Sequence, residues 1–329
     1  FMRNGFYQCV HRERCAASEC LGLNTAYIRK FGHEATALTP LTDPDRCAAL
    51  TAAEPAVICV LRDEAEMVPH FLAHYRGLGV RAFLMVDNGS TDGTAERLAA
   101  EPDVALFHAE TPFREAAQGT DWKLALLAAR PGLWSLVADA DELLLLPGAG
   151  ADGRPEAPDA LPRLLAGAPF AGADAVRLAM LDMYPEGPLA EASFAAGPPF
   201  AVAGWTDREP LLAGSLFPGM FGDGRTRTSA LRHRLFPGAR PELFVAEKVA
   251  LLRYHSLMRL SVSLHYATGV RLAGQELLLA HFKYHAGFHA KAMREAARGQ
   301  YFNAAEEYRR YLALPEGARG RLFAPGLSV

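Results

Sequence analysis

No apolar run in the 329 residues approaches the roughly 20 that a membrane-spanning helix needs, which excludes an apolar helical anchor within this sequence. Charge of one sign is also scarce. Lys and Arg number 34 against 37 Asp and Glu, a formal net of -3, so electrostatics give no reason to expect nucleic acid or an anionic membrane as partner. Cysteine is sparse and unevenly placed. Cys9, Cys15, Cys20 and Cys47 fall in the first fifty residues, and Cys59 lies in an apolar run. An odd count argues against a disulfide framework, and Cys9, Cys15 and Cys20 with His11 lack the C-x-x-C spacing of a zinc knuckle. No apolar core follows the early Arg residues, so the start does not read as a signal peptide. Residues 1–50 are expected to be a poorly structured extension carrying reduced thiols. The chain is nonetheless 50% hydrophobic and 22% charged, enough to bury a sizeable core.

Ala56-Val-Ile-Cys-Val-Leu61 and Ala82-Phe-Leu-Met-Val86 read as buried strands. Between them Met67, Val68, Phe71, Leu72, Tyr75 and Leu78 recur at helical spacing, ended by Gly77 and Gly79. This is a strand-helix-strand unit of a parallel sheet. A third apolar run, Leu133 to Ala138, leads into Asp139-Ala-Asp-Glu142. If that stretch is extended, Asp139 and Asp141 project together from the strand's carboxyl end, where open α/β sheets bind ligands. Two hard oxygen donors there suit Mn²⁺ or Mg²⁺ carrying a diphosphate. A solvated acidic turn is the plain alternative. Gly148-Ala-Gly-Ala-Asp-Gly153 matches G-x-G-x-x-G in form, but Pro147 precedes it and Arg-Pro-Glu-Ala-Pro follows, so it is a loop. Asp174 to Leu181 reads as a further strand, Gly187 to Gly224 as a long irregular stretch, and His285 to Leu314 as an amphipathic helical tail.

Val86-Asp-Asn-Gly-Ser-Thr-Asp-Gly-Thr94, after Arg62-Asp-Glu-Ala65, resembles the nucleotide-binding start of a family 2 glycosyltransferase with the GT-A fold, and Asp139-Ala-Asp-Glu142 resembles that fold's D-x-D. Arg232-His-Arg-Leu-Phe236, Glu247-Lys-Val-Ala-Leu251, His265 and His281-Phe-Lys283 resemble segments of a bacterial branch of that family. The resemblance covers Ala56 to Leu314. It departs at Ser229-Ala230, where the family often has Gly-Gly, and at Ala250, where it usually has Pro.

The resemblance implies an α/β GT-A fold, a mostly parallel sheet flanked by helices with a C-terminal helical tail. The nucleotide-sugar half would be 51–147 and the acceptor half with its tail 148–329. It implies transfer of a sugar from a nucleoside-diphosphate sugar to a hydroxyl of a glycan or lipid-linked acceptor, metal-dependent and inverting, in the cytoplasm or at the inner membrane face. Nucleotide contacts are expected from Arg62, Asp63, Glu64, Asp87, Asn88, Ser90, Arg232, Arg234, Lys248 and Lys283. The metal would sit on Asp139 and Asp141 with His281 completing the shell and His265 as second choice. Catalytic base candidates are Glu142, Asp207, Glu209 and Asp223, among which the sequence does not choose. Each has a structural alternative: Asp87 and Asp92 as turn caps, Asp63 and Glu64 as helix-start acids, the cations as surface ion pairs. A nucleotidyltransferase and a non-catalytic nucleotide-sugar-binding protein remain as rival classes.

Overall fold

The apolar runs assemble into one nine-stranded sheet. The computed structural model describes residues 38–214 and 225–329, together with the short pairing of Phe6–Tyr7 with Leu23–Asn24. The sheet strands are β1 (Thr39–Pro40), β2 (Ala56–Leu61), β3 (Ala82–Asp87), β4 (Val104–His108), β5 (Trp134–Val137), β6 (Glu142–Leu145), β7 (Ala175–Asp182), β8 (Glu247–Arg253) and β9 (Leu277–His281). Their order across the sheet is β1-β4-β3-β2-β5-β8-β7-β9-β6. The strands β2, β3, β4, β5, β7 and β9 point one way, and β1, β6 and β8 point the other. Every residue of β2 and β3 is buried, which is why both read as unbroken apolar runs rather than alternating ones. The result is the α/β sheet, mostly of one direction and flanked by helices, that the sequence predicts.

The flanking helices are α1 (Pro44–Ala52), α2 (Val68–Gly77), α3 (Thr94–Ala99), α4 (Thr120–Ala128) and α5 (Ala160–Leu165). Helix α2 turns Phe71 and Tyr75 into the core, both fully buried; each such ring stabilises by about 2–3 kcal/mol on area alone. Helix α4 starts at Gly119, whose φ of +75° suits a residue without Cβ. A Cβ there would lie 2.9 Å from the Phe113 ring and 3.2 Å from Val60, so only glycine lets α4 begin this close to β2. The segment 148–153 is a loop, as its context required.

One expectation about the N-terminal segment is corrected. Its last part, β1 and α1, belongs to the fold. Asp43 caps α1 by accepting from the backbone N–H of Asp45 at 3.0 Å and Arg46 at 3.2 Å, with Pro44 at the first position. At the other end the fully buried Arg130 donates to the carbonyls of Thr51 and Ala53 and to the Ser135 hydroxyl. That guanidinium satisfies carbonyls a helix end leaves without partners. Cys47 and Cys59 are free thiols. The suggested grouping of Cys9, Cys15, Cys20 and His11 lies outside the described residues. The expected boundary at 147/148 is no break either, because β6 crosses to the far edge and pairs there with β9.

A second, smaller core lies in the later part of the chain. It gathers Tyr184, Leu231, Phe244, Tyr284, Phe288, Tyr308 and Tyr311 around α6 (Ala230–Leu235), α7 (Phe288–Arg298) and α8 (Phe302–Leu312).

Candidate active site

Because six strands share a direction, their carboxyl ends share one edge of the sheet. That edge carries Arg62 after β2, Asn88 after β3, Asp139 after β5, Asp182 ending β7 and His281 ending β9. The reversed strands β6 and β8 begin at the same edge and place Glu142 and Lys248 there. Over it opens a cavity of about 410 Å³, within the range of small-molecule sites. Asp139, Asp141, Glu142, His265, His281, Lys248 and Lys283 all line it.

Asp139 and Asp141 do not sit on an extended strand. Strand β5 stops at Val137, and the pair lies in a turn closed by Glu142 N–H donating to the Asp139 carbonyl at 3.0 Å. Their side chains therefore part company. Asp139 accepts from Lys123 Nζ at 2.8 Å through one oxygen and from Lys248 Nζ at 2.8 Å through the other. Burial alone would raise its carboxyl, but the two ammonium groups hold it well below the ordinary carboxylate range. Both oxygens of Asp139 are thus engaged by ammonium groups in this structure. Lys123, 3% exposed on the first turn of α4, went unnoticed in the sequence because nothing local distinguishes it from a surface lysine.

Asp141 faces the cavity with Oδ2 lying 3.7 Å from His281 Nε2. On its other side, His281 Nδ1 meets Asp182 Oδ1 at 2.8 Å. Arg232 grips the same carboxylate in a fork, Nε to Oδ2 at 2.9 Å and Nη2 to Oδ1 at 2.8 Å. Burial opposes ionisation of Asp182, yet Arg232 and His281 pull its carboxyl far below the usual range. Carboxylate, imidazole, carboxylate is the arrangement that fixes a metal-binding histidine's ring. Alternation in this segment runs as the sequence predicts. His281 and Lys283 both line the cavity while Phe282 is fully buried between them. Of the other histidines, His285 stacks on Phe194 away from the cavity, while His265 lines it with Nδ1 meeting the Glu247 carbonyl at 2.8 Å. Burial, with Lys248 nearby, lowers His265 to about 4.

The residues after β2 and β3 divide by role. Arg62, Glu64 and Asn88 line the cavity. Asp87 instead accepts from Gly89 and Ser90 N–H at 3.1 and 3.2 Å, Asp63 accepts from Thr91 N–H at 2.8 Å, and Ser90 Oγ accepts from Asp63 N–H at 2.9 Å. These three hold the turn in shape. Asn88 donates its amide to the carbonyls of Ala109 and Thr111, tying that turn to the strand end of β4. A smaller adjoining hollow is lined by Asn88, Gly89, His108, Glu110 and Thr111.

Several expected site residues fall outside the cavity. Arg234 and Asp207 pair with each other at 2.8 Å, and Tyr184 donates to Asp207 at 2.6 Å within the second core. A half-buried cation and a buried carboxylate neutralise one another there, and neither lines the cavity. Glu209 is exposed and does not line the cavity. Glu142 lines it but is spent as a base: Oε1 takes Lys248 Nζ at 2.5 Å and Oε2 takes the Asp139 N–H at 2.9 Å. Asp223 lies outside the described residues. Lys283 is held by Glu307 at 2.7 Å; burial lowers its ammonium, and Glu307 offsets this only in part.

No family model matches the chain, and no curated protein matches it in sequence. Among solved structures it is similar to S. aureus TarS residues 1–349, at 12% identity and a TM-score of 0.35, over 80% of this chain and 73% of that one. It is similar to a longer S. aureus TarS structure at 13% identity and a TM-score of 0.35, over 79% of this chain and 42% of that one. The chain thus spans less than half of that longer protein. Neither likeness bears on function; the strand order and the cavity do.

Proposed function

We propose that the protein is a glycosyltransferase that moves a sugar from a nucleoside-diphosphate sugar to a hydroxyl acceptor. The observation that carries this reading is Asp141 Oδ2 facing His281 Nε2 at 3.7 Å in a cavity at the carboxyl edge of the sheet. Among the described residues no three His, Cys, Asp or Glu side chains group to hold a metal by themselves. A hard oxygen and one imidazole suit Mn²⁺ or Mg²⁺, which take few protein ligands and fill their shell with phosphate and water. Asp141 and His281 would hold that ion, and its chemistry is to offset charge on the departing diphosphate.

The chain's own groups do the rest. Asp182 and Arg232 keep the His281 ring oriented. The Asn88 turn and its adjoining hollow would take the nucleoside. Lys123 and Lys248 supply fixed positive charge beside the leaving group, stabilising negative charge as it builds. For an inverting transfer the acceptor hydroxyl must lose a proton. Glu242 is the cavity carboxylate that has no ion pair or hydrogen bond among the described residues, so the base role falls to it.

The test is a thermal-shift screen of nucleotide sugars and nucleotides with and without Mn²⁺. Ligand binding to the folded state alone raises the melting temperature. Stabilisation by one nucleotide sugar, dependent on Mn²⁺, is expected. Stabilisation by nucleoside triphosphates alone would point to nucleotidyl transfer, and no response to any nucleotide would end the proposal. Glu242→Gln should keep the shift and lose turnover by about a hundredfold.

A further inference from the structure

Helix α7 is more than the packing tail its amphipathic pattern suggests. Lys291, Arg294, Glu295 and Arg298 all line the main cavity. Their spacing of three, four and seven puts them on one face of the helix. The opposite side carries Met293, half exposed. Lys291 reaches across the cleft to Glu64, the residue after β2's Arg62-Asp63, and closes an ion pair at 2.6 Å between residues 227 apart. Arg298 is bound only within its own neighbourhood, to Glu295 at 3.0 Å and to Gln300 at 3.4 Å. Arg294 is exposed and has no ion pair or hydrogen bond among the described residues.

The position of this face matters as much as its charge. The main cavity and the smaller hollow share Arg62, Asn88, Arg298 and Gln300. Arg62 and Arg298 therefore stand where the two spaces meet. On one side lies the hollow built on the Asn88 turn, and on the other Asp141 and His281. A ligand with its nucleoside in the hollow and its sugar beside Asp141 must lay its diphosphate across that junction. Guanidinium forks match phosphate oxygens, and an ammonium adds a point charge.

Resting on the glycosyltransferase reading, we infer that the cationic face of α7, Lys291 and Arg298 with Arg294 at the rim, binds the donor's diphosphate opposite Arg62. The donor site is then a clamp with one jaw after β2 and the other on α7. Lys291 has donors left over after Glu64, since an ammonium offers three hydrogens. Burial would lower that ammonium, but Glu64 and Asp141 raise it well above the ordinary lysine value, so it stays charged.

The experiment uses the full chain and isothermal titration. ADP, GDP, UDP, CDP and dTDP are screened with Mn²⁺ on the unaltered protein, and the one that binds is compared with its own monophosphate. The unaltered chain should prefer the diphosphate. In Arg298→Gln, which breaks only the contacts to nearby Glu295 and Gln300, that preference should shrink by about tenfold or more. Lys291→Met should do the same, and Met293→Gln, on the far side, should change neither affinity. No nucleoside diphosphate binding by the unaltered chain overturns the glycosyltransferase reading itself. Normal binding there, with the diphosphate preference intact in Arg298→Gln, overturns the clamp and leaves that reading standing.

Discussion

The two halves of the chain differ in the balance of charge they bring to one cavity: the earlier is richer in carboxylates, the later in cations. Of its seven acidic side chains, Glu64, Asp139, Asp141 and Glu142 precede residue 147, and Glu242, Glu295 and Glu307 follow it. Of its eight Lys and Arg residues, six follow it, from Arg232 to Arg298. The earlier half builds its ligand edge from backbone turns that need little charge: Asp87, Asp63 and Ser90 serve only to shape them. The later half brings cations on strands and helices whose local sequence gives no hint of their destination. Docking the halves joins Lys248 to Asp139 and Glu142, and Lys291 to Glu64. A site assembled this way has fixed, paired charges before any ligand arrives, which is what electrostatic preorganisation requires.

The sharpest break in this comparison separates the two aspartates. Asp141→Asn should lower transfer on the order of a hundred- to a thousandfold and abolish Mn²⁺ binding measured by electron paramagnetic resonance. Asp139→Asn should keep Mn²⁺ binding and lose melting temperature instead, because Lys123 and Lys248 lose their counter-charge. Equal metal loss in both variants would restore the ordinary two-aspartate site.

The anchors of each half come next. Arg232→Met leaves Asp182 buried without its forked partner and should destabilise by about 3–5 kcal/mol in urea unfolding. Arg130→Met, which strands carbonyls at the end of α1, should cost about 2–3 kcal/mol. Removing residues 1–53 should unfold the chain more readily still, since β1 and α1 go as well; unchanged stability would return that segment to a dispensable extension.

The smallest effect concerns pH. Burial lowers His74 to about 4, against an unfolded value near 6.5. Its neutral form is the folded one, so its contribution is complete above pH 6.5 and is lost as pH falls toward 4. The depressed carboxylates Asp139 and Asp182 add to the loss only below about pH 4. Melting temperature should therefore decline between pH 6.5 and 4.5, and His74→Phe should flatten that slope; an identical slope would remove His74 from the account.

What could be read in the sequence was what neighbours in the chain decide. The buried runs 56–61 and 82–86, the helix between them, the acidic pair at the cavity and the alternation of His281 with Lys283 all depend on local spacing. Helix α1 was legible too, through Asp43-Pro44-Asp45, but the cysteines around it drew the reading toward an unfolded segment. Asp207 and Arg234 were misplaced because charge says that a partner is needed, and not which one. Lys123, Lys291 and Arg298 were missed for the same reason in reverse. Their meaning comes from contacts made after the sheet has formed, some across more than two hundred residues.

A ribosome delivers this chain in order, and most of the cavity's cationic wall arrives after its acidic edge. When Asp139, Asp141 and Glu142 have emerged, Lys248, His281 and Lys291 are still more than a hundred residues of synthesis away. Synthesis from the amino end runs at roughly 5–20 residues per second, so the acidic edge waits several seconds for Lys248 and the cations after it. For that interval Lys123 is already made and can pair with Asp139, while the Lys248 partner of Glu142 and the Lys291 partner of Glu64 are not. The strands and helices after residue 247 then add the cationic wall, so the cavity is complete only once α7 has joined it.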